Sequence, residues 1–191
     1  METEILETLM DLVRNRHFGK YRGLVTDNSD PTSRGRLKVK VPALLGDLEV
    51  WAMPCVPYAG AQVGFYSLPE AQTGAWIEFE GGDLSYPIWA GFFWGDNEIP
   101  DNNDPAIKIW KTEKVSLRID DNADECKVEN SSQCTFTMAQ DVQTACQQSK
   151  HTVANSGLTG ELTPSKVEVT SSAVNIKSTT VKINDGALEV M

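Results

Sequence analysis

Apolar residues open the chain in a helical rhythm. Ile5, Leu6, Leu9, Leu12 and Val13 recur at i, i+1, i+4, i+7 and i+8, which lines one side of a helix and predicts an amphipathic α-helix over residues 1–16. This stripe is expected to cap the domain that follows, or else to dock on a neighbouring subunit or another protein. The rhythm then changes to short strands: Tyr21–Thr26, Arg36–Val41, Val50–Val56, Gly74–Phe79 and Pro87–Phe93. Between them stand Asn28-Ser29-Asp30-Pro31, the glycine-rich stretch from Gly60 to Gly64, and Gly81-Gly82-Asp83, all strong turn chemistry. The second strand alternates cleanly, with Arg36, Lys38 and Lys40 on one face and Leu37, Val39 and Val41 on the other.

A different pattern governs the end of the chain. Val167-x-Val169, Val174-x-Ile176, Val181-x-Ile183 and Leu188-x-Val190 start at intervals of seven residues. A coiled-coil seam alternates steps of three and four, whereas these apolar residues step by two and then five. Residues two apart point about 200° apart on a helix but share a face on a strand. Each unit therefore predicts a very short strand with two inward residues and a polar turn such as Thr170-Ser171-Ser172 or Asn184-Asp185-Gly186. Val115-x-Leu117-x-Ile119, Cys126-x-Val128 and Cys134-x-Phe136-x-Met138 repeat the device with less regular turns. Two inward residues per repeat are too few to enclose a core within one chain. Three chains about a common axis would enclose one, with each strand stacked on a strand from a neighbour. The expected axis residues are Val167, Val169, Val174, Ile176, Val181, Ile183, Leu188 and Val190.

Composition sharpens the division. Of 15 aromatic residues, only Phe136 lies beyond Trp110, and 19 Ser and Thr stand among the last 81 residues. Ordinary cores need large side chains to fill volume, so the second half is not a second globular domain. The expected layout is a helix over 1–16, a barrel over 17–100, a linker over 101–112 marked by Pro100-Asp101-Asn102-Asn103-Asp104-Pro105 where the barrel range ends and the linker begins, and a trimeric β spike over 113–191. Five short strands in roughly 80 residues suit a small closed barrel of the OB type.

Charge and chemistry remove most alternatives. The net charge is −10, with both halves acidic, which lacks the broad positive field of nonspecific nucleic-acid binding. The stripe Arg34, Arg36, Lys38 and Lys40 keeps an OB-type single-strand binder as the rival reading. A lytic, lysozyme-like tail enzyme would need two carboxylates flanking a groove; Glu78 and Glu80 share a strand face but read as solvated. His17 and His151 adjoin no recognisable nucleophile motif. No apolar run approaches the length of a membrane span, and Met1-Glu2-Thr3-Glu4 is not the opening of a signal peptide. Cytosolic assembly is thus expected, with Cys55, Cys126, Cys134 and Cys146 as thiols filling apolar positions. No cofactor, metal site or catalytic residue is expected.

The barrel half resembles the phage baseplate assembly protein V family, which is related to the valine-glycine repeat proteins of type VI secretion. The resemblance is carried by Tyr21-Arg22-Gly23-Leu24-Val25, Gly35-Arg36-Leu37-Lys38-Val39-Lys40-Val41-Pro42, Trp51-Ala52-Met53-Pro54-Cys55, Pro57-Tyr58-Ala59-Gly60, Ile77-Glu78-Phe79-Glu80-Gly81-Gly82-Asp83 and Pro87-Ile88-Trp89-Ala90-Gly91. It implies an all-β protein: an N-terminal helix, an OB-fold barrel and a C-terminal intertwined triple-stranded β-helix formed by a homotrimer. It further implies a non-enzymatic central spike in the tail baseplate of a phage virion or a phage-like particle. Such a spike meets baseplate hub and tail tube proteins, and the target membrane only transiently. Arg36, Lys38 and Lys40 become candidate hub or tube contacts. Some relatives of this group close their tip with iron held by a His-x-His pair, which this sequence lacks. Leu188, Val190 and Met191 are therefore expected to form a blunt apolar end that a separate PAAR-type tip protein covers.

Overall fold

The computed structural model describes residues 2–101, 103–183 and 188–190, with side chains described for 4–11, 13–101 and 103–181. It divides into two compact units, Met1–Glu98 and Ile99–Met191.

In the first unit, α1 (Glu2–Asn15) precedes β1 (Tyr21–Asp27), β2 (Leu37–Lys40), α2 (Pro42–Leu45), β3 (Glu49–Pro54), the short pair β4 (Ala59–Gly60) and β5 (Val63–Gly64), β6 (Gly74–Phe79) and β7 (Pro87–Phe93). Five of these strands close a barrel in the order β1-β2-β3-β7-β6. All contacts are antiparallel except β3 against β7, which is parallel. The alternation read in the second strand is the burial pattern observed: Leu37, Val39 and Val41 are fully buried beside Val25, Ala52, Ala75 and Ile77.

Strand β1 serves two neighbours, pairing Tyr21–Leu24 with β6 and Leu24–Asp27 with β2 across a register shift. Gly23 lies at this changeover. A Cβ there would stand 2.7 Å from Ile77 Cγ1 and 3.0 Å from the Lys40 carbonyl oxygen, so the bend closes only over a residue without a side chain. Trp89 is buried, and its indole N–H donates to the Gly35 carbonyl at 3.1 Å, which satisfies the one polar atom of a large core ring.

The helix departs from the first of its two expectations. Ile5, Leu6, Leu9, Met10 and Val13 are each at least half exposed, Val13 at 80%, so the stripe does not cap the barrel. The chain is anchored just after the helix instead. The His17 amide donates to the Gly82 carbonyl at 2.8 Å, and Arg16 pairs with Asp83 at 3.2 Å. Gly82 has φ +75°, and a Cβ there would approach the His17 nitrogen to 2.9 Å.

The second unit is a meander. Strands β8 (Ile107–Lys111), β9 (Val115–Asp120), β10 (Glu125–Asn130), β11 (Thr135–Met138), β12 (Val142–Cys146), β13 (Ser149–Ala154), β14 (Gly157–Leu162), β15 (Ser165–Val169) and β16 (Val174–Lys177) form a nine-stranded sheet in sequence order. A separate hairpin follows, β17 (Val181–Ile183) with β18 (Leu188–Val190). Two expectations change. The segment 101–112 is not all linker, because Ile107–Lys111 pairs with residues 116–120. Hydrogen bonding also runs within the chain, each strand to its sequence neighbours, where the two-and-five pattern by itself suggested strands from different chains. Turns of a few residues bring successive strands together at once, so in-chain antiparallel pairing is the nearest way to satisfy their backbone groups.

Candidate assembly surface

Register shows what the sequence pattern builds. Residues paired across an antiparallel ladder share a face. One row crosses eight strands from β9 to β16: Ile119, Cys126, Met138, Val142, Val153, Leu158, Val169 and Val174. Beside it runs Leu117, Val128, Phe136, Thr144, His151, Gly160, Val167 and Ile176. The central row of the opposite face is Arg118, Lys127, Thr137, Gln143, Thr152, Thr159, Glu168 and Asn175, without an apolar member. That face carries ion pairs such as Lys127 with Glu129 at 2.6 Å and Lys166 with Glu168 at 3.2 Å. The sheet therefore has one apolar and one polar side.

Nothing described in this unit covers the apolar side. None of the described residues from 99 to 181 is buried, and Ile176 is 54% exposed. Towards β13–β17 the surface hollows into a cavity of about 690 Å³ whose lining mixes apolar residues such as Val153, Leu158 and Ile176 with polar ones such as His151, Glu161 and Lys166. Exposed apolar area of this continuity marks an interaction surface.

The expected axis residues fall into this arrangement as follows. Val167 lies opposite Ile176, and Val169 opposite Val174, all on the apolar face. Val181 pairs with Val190 and Ile183 with Leu188 in the last hairpin. The side chains of Ile183, Leu188 and Val190 lie outside the described residues, as does Met191. Residues 141–162 escaped the sequence reading, although β12, β13 and β14 supply the middle of both rows. Their strands mix single apolar residues with Thr, Ser and His, so only register reveals a continuous face. The row breaks at Thr144, His151 and Gly160, where the imidazole Nε2 lies 3.4 Å from where a Gly160 Cβ would stand.

The cysteine expectation needs correction at one pair. Cys134, just before β11, and Cys146, at the end of β12, form a disulfide. A separation of 12 residues matched no recognised pairing motif, but the hairpin makes the two direct neighbours. Cys55 and Cys126 are free thiols.

On the barrel, three of the four residues of the basic stripe face carboxylates of the same unit. Arg36 donates through Nε and Nη2 to Asp30 Oδ1 at 3.0 and 2.8 Å, and its guanidinium lies 5.2 Å from the centre of the Trp51 ring. Lys38 pairs with Glu49 at 3.2 Å, and Lys40 lies 3.9 Å from Asp47 and 4.0 Å from Glu49. A nucleic-acid groove needs cations available to phosphate, and these three already face acids. Glu78 likewise pairs with Lys20 at 2.5 Å. Among the described residues no group of three or more His, Cys, Asp or Glu side chains is placed to hold a metal ion, and no helix is long and apolar enough to cross a membrane.

Asp30, read from the sequence only as one of the turn residues, organises the β1–β2 turn through its side chain. Its carboxylate accepts from the Arg36 side chain, from the amides of Thr32 and Arg34 and from the Thr32 hydroxyl, with its side chain 2% exposed. The Arg36 hydrogen bonds, followed by those of Thr32 and Arg34, hold its carboxyl far below the usual carboxylate range. A depressed folded-state pKa means that the unfolded chain binds the proton more readily. The stabilisation is then full above the unfolded value of about 4 and falls away as pH drops further. Asp30→Asn is expected to lower the barrel melting temperature at pH 7, and the gap to the parent should narrow below about pH 4. Tryptophan fluorescence melts from pH 2.5 to 7 read this directly; a gap that did not change with pH would show that the Asp30 charge is not what stabilises the turn.

The first unit is a closed five-stranded barrel in the order β1-β2-β3-β7-β6, and the second a one-faced β meander. Residues 21–94 match the family described as the type VI secretion system/phage-baseplate injector OB domain, which supports the resemblance of the barrel to the baseplate assembly protein V family. The match assigns a structural, baseplate-related role in a phage or phage-like particle. No curated protein sequence matches the chain.

Proposed function

We propose that the chain is the central baseplate spike of a contractile phage tail or phage-like injection system, acting as a homotrimer. The carrying observation is the pair of rows from β9 to β16: a sheet with one predominantly apolar face, one row of it unbroken and the other interrupted at Thr144, His151 and Gly160, and no buried residue described in its unit. Uncovered, this surface would aggregate. Three copies facing one another cover it with identical surfaces and enclose a core of Val, Ile, Leu, Phe and Met. The polar rows then face water. The injector-type barrel supplies the junction to hub and tail tube, and the trimeric sheets supply a rigid needle for the target envelope. A separate tip protein completes the set of partners.

The function needs stiffness, not chemistry. A closed prism of hydrogen-bonded strands has few soft degrees of freedom, and its interface is obligate because no single chain can bury it. Analytical ultracentrifugation of the full chain at low micromolar concentration is expected to give a species of three chains. Material recovered from intact particles is expected to carry the tip protein as well. A compact, soluble monomer would refute the spike reading.

A further inference from the structure

One imidazole stands in the middle of the tail sheet's apolar face. On β13 that face is met by Ser149, His151 and Val153. Ser149 belongs to a marginal row with Cys146 and Leu162, and Val153 to the opposite one with Val142 and Leu158, so His151 holds the central row. Thr144 and Gly160 flank it across the ladder, and the rest of that row is apolar. The ring leans over Gly160: Nε2 and Cδ2 lie 3.4 and 3.6 Å from where a Cβ would stand, so the bare neighbour leaves it room. Among the described residues the His151 side chain has no hydrogen bond, ion pair or ring contact. It lines the cavity of about 690 Å³ on this face. Burying such a ring without a partner costs free energy.

We propose that His151 from three copies forms a binding site for one divalent transition-metal ion midway along the tail. The proposal rests on the homotrimer reading above, and the site is incomplete in one chain, which supplies a single ligand. Where three sheets face one another as a prism, the middle of each stands nearest the common axis and the margins meet at the corners. The central row then brings three imidazoles to one point on the axis. Symmetry makes them offer the same atom there, either three N–H groups or three lone pairs. A water molecule has two hydrogens and leaves one of three lone pairs unmet. An anion held by three N–H groups is opposed by the net charge of −10 on every chain, whereas a cation held by three lone pairs is favoured by it. Three imidazole nitrogens, with a fourth position for water, suit Zn2+ or Co2+. Thr144, directly opposite on β12, offers its hydroxyl as acceptor for the remaining N–H, which fixes the nitrogen that faces the ion.

The test uses the untagged full chain, stripped with EDTA and titrated with Co2+ by visible absorption and with Zn2+ by calorimetry. Saturation is expected at one ion per three chains, with the intense cobalt bands of a four-coordinate site. His151→Leu, which makes the row apolar at that strand, is expected to sediment as the parent does and to lose all binding. His151→Gln keeps a polar side chain there, is expected to lose binding too, and decides the question if the leucine variant does not assemble. His17→Gln, in the barrel unit, is expected to bind as the parent does. A parent oligomer that binds no ion, or binding that survives in either His151 variant, overturns the metal site and leaves the spike reading in place. A parent chain that sediments as a monomer overturns both.

Discussion

Ile176→Asp is expected to turn the assembled protein into monomers while leaving the barrel folded. Ile176 closes the row that begins at Leu117 and lies opposite Val167, on the face assigned to the three-fold interface. The substitution would bring three carboxylates together in an apolar core, each with a desolvation cost of several kcal/mol and each repelling the other two. A loss of several kcal/mol from an obligate interface weakens association by at least about a thousandfold. Thr137→Asp is the control: Thr137 lies on the polar face opposite Lys127, where a carboxylate meets water and a cation. Sedimentation should give monomer for the first variant and the parent species for the second. A trimer retained in Ile176→Asp would show that this face does not form the interface.

Leu37→Ala is expected to have the reverse effect, a weakened barrel on an intact assembly. Leu37 is fully buried among Val25, Val39, Ala52 and Ile77. Truncating it removes apolar burial and leaves a cavity that strands cross-linked around a closed barrel cannot collapse to fill. The cost is about 3 kcal/mol, or a fall of about 15 °C in the melting temperature of a domain of this size. Trp51, Trp76, Trp89 and Trp94 lie in this unit and only Trp110 in the other, so tryptophan fluorescence reports the barrel while sedimentation reports the tail. A loss of both signals in one step would show that the units do not fold independently.

These opposite expectations express a difference in how the two units hold together. The barrel buries its own core, as an ordinary domain does. The tail spreads its apolar residues over one side of a sheet, and none of its described residues is buried; in the proposed trimer the other copies would bury them. Within a single chain the tail ladder is held by backbone hydrogen bonds and cross-strand pairs, each contributing only a fraction of a kcal/mol to about 1 kcal/mol, and by the Cys134–Cys146 disulfide.

The sequence by itself determined the elements whose burial follows a strict local period. Leu37, Val39 and Val41 alternate with Arg36, Lys38 and Lys40, and a period of two admits only a strand with one buried face. The second barrel strand was legible for that reason, the other four with the help of the turn chemistry between them, and Val167 to Val190 were legible as short strands instead of helix by their steps of two. Tertiary structure decided what depends on partners distant in sequence. Gly23 is fixed by Ile77 and the Lys40 carbonyl, Asp30 by an Arg36 fork that the turn folds back, and Cys134 by a cysteine brought opposite through the next hairpin. Strands β12 to β14 were hidden because their single apolar residues acquire meaning only when register aligns them with Met138 and Val169. The helix stripe was legible as a stripe, but not its exposure. Periodicity says which side of a helix is apolar, and only packing says whether anything lies against it.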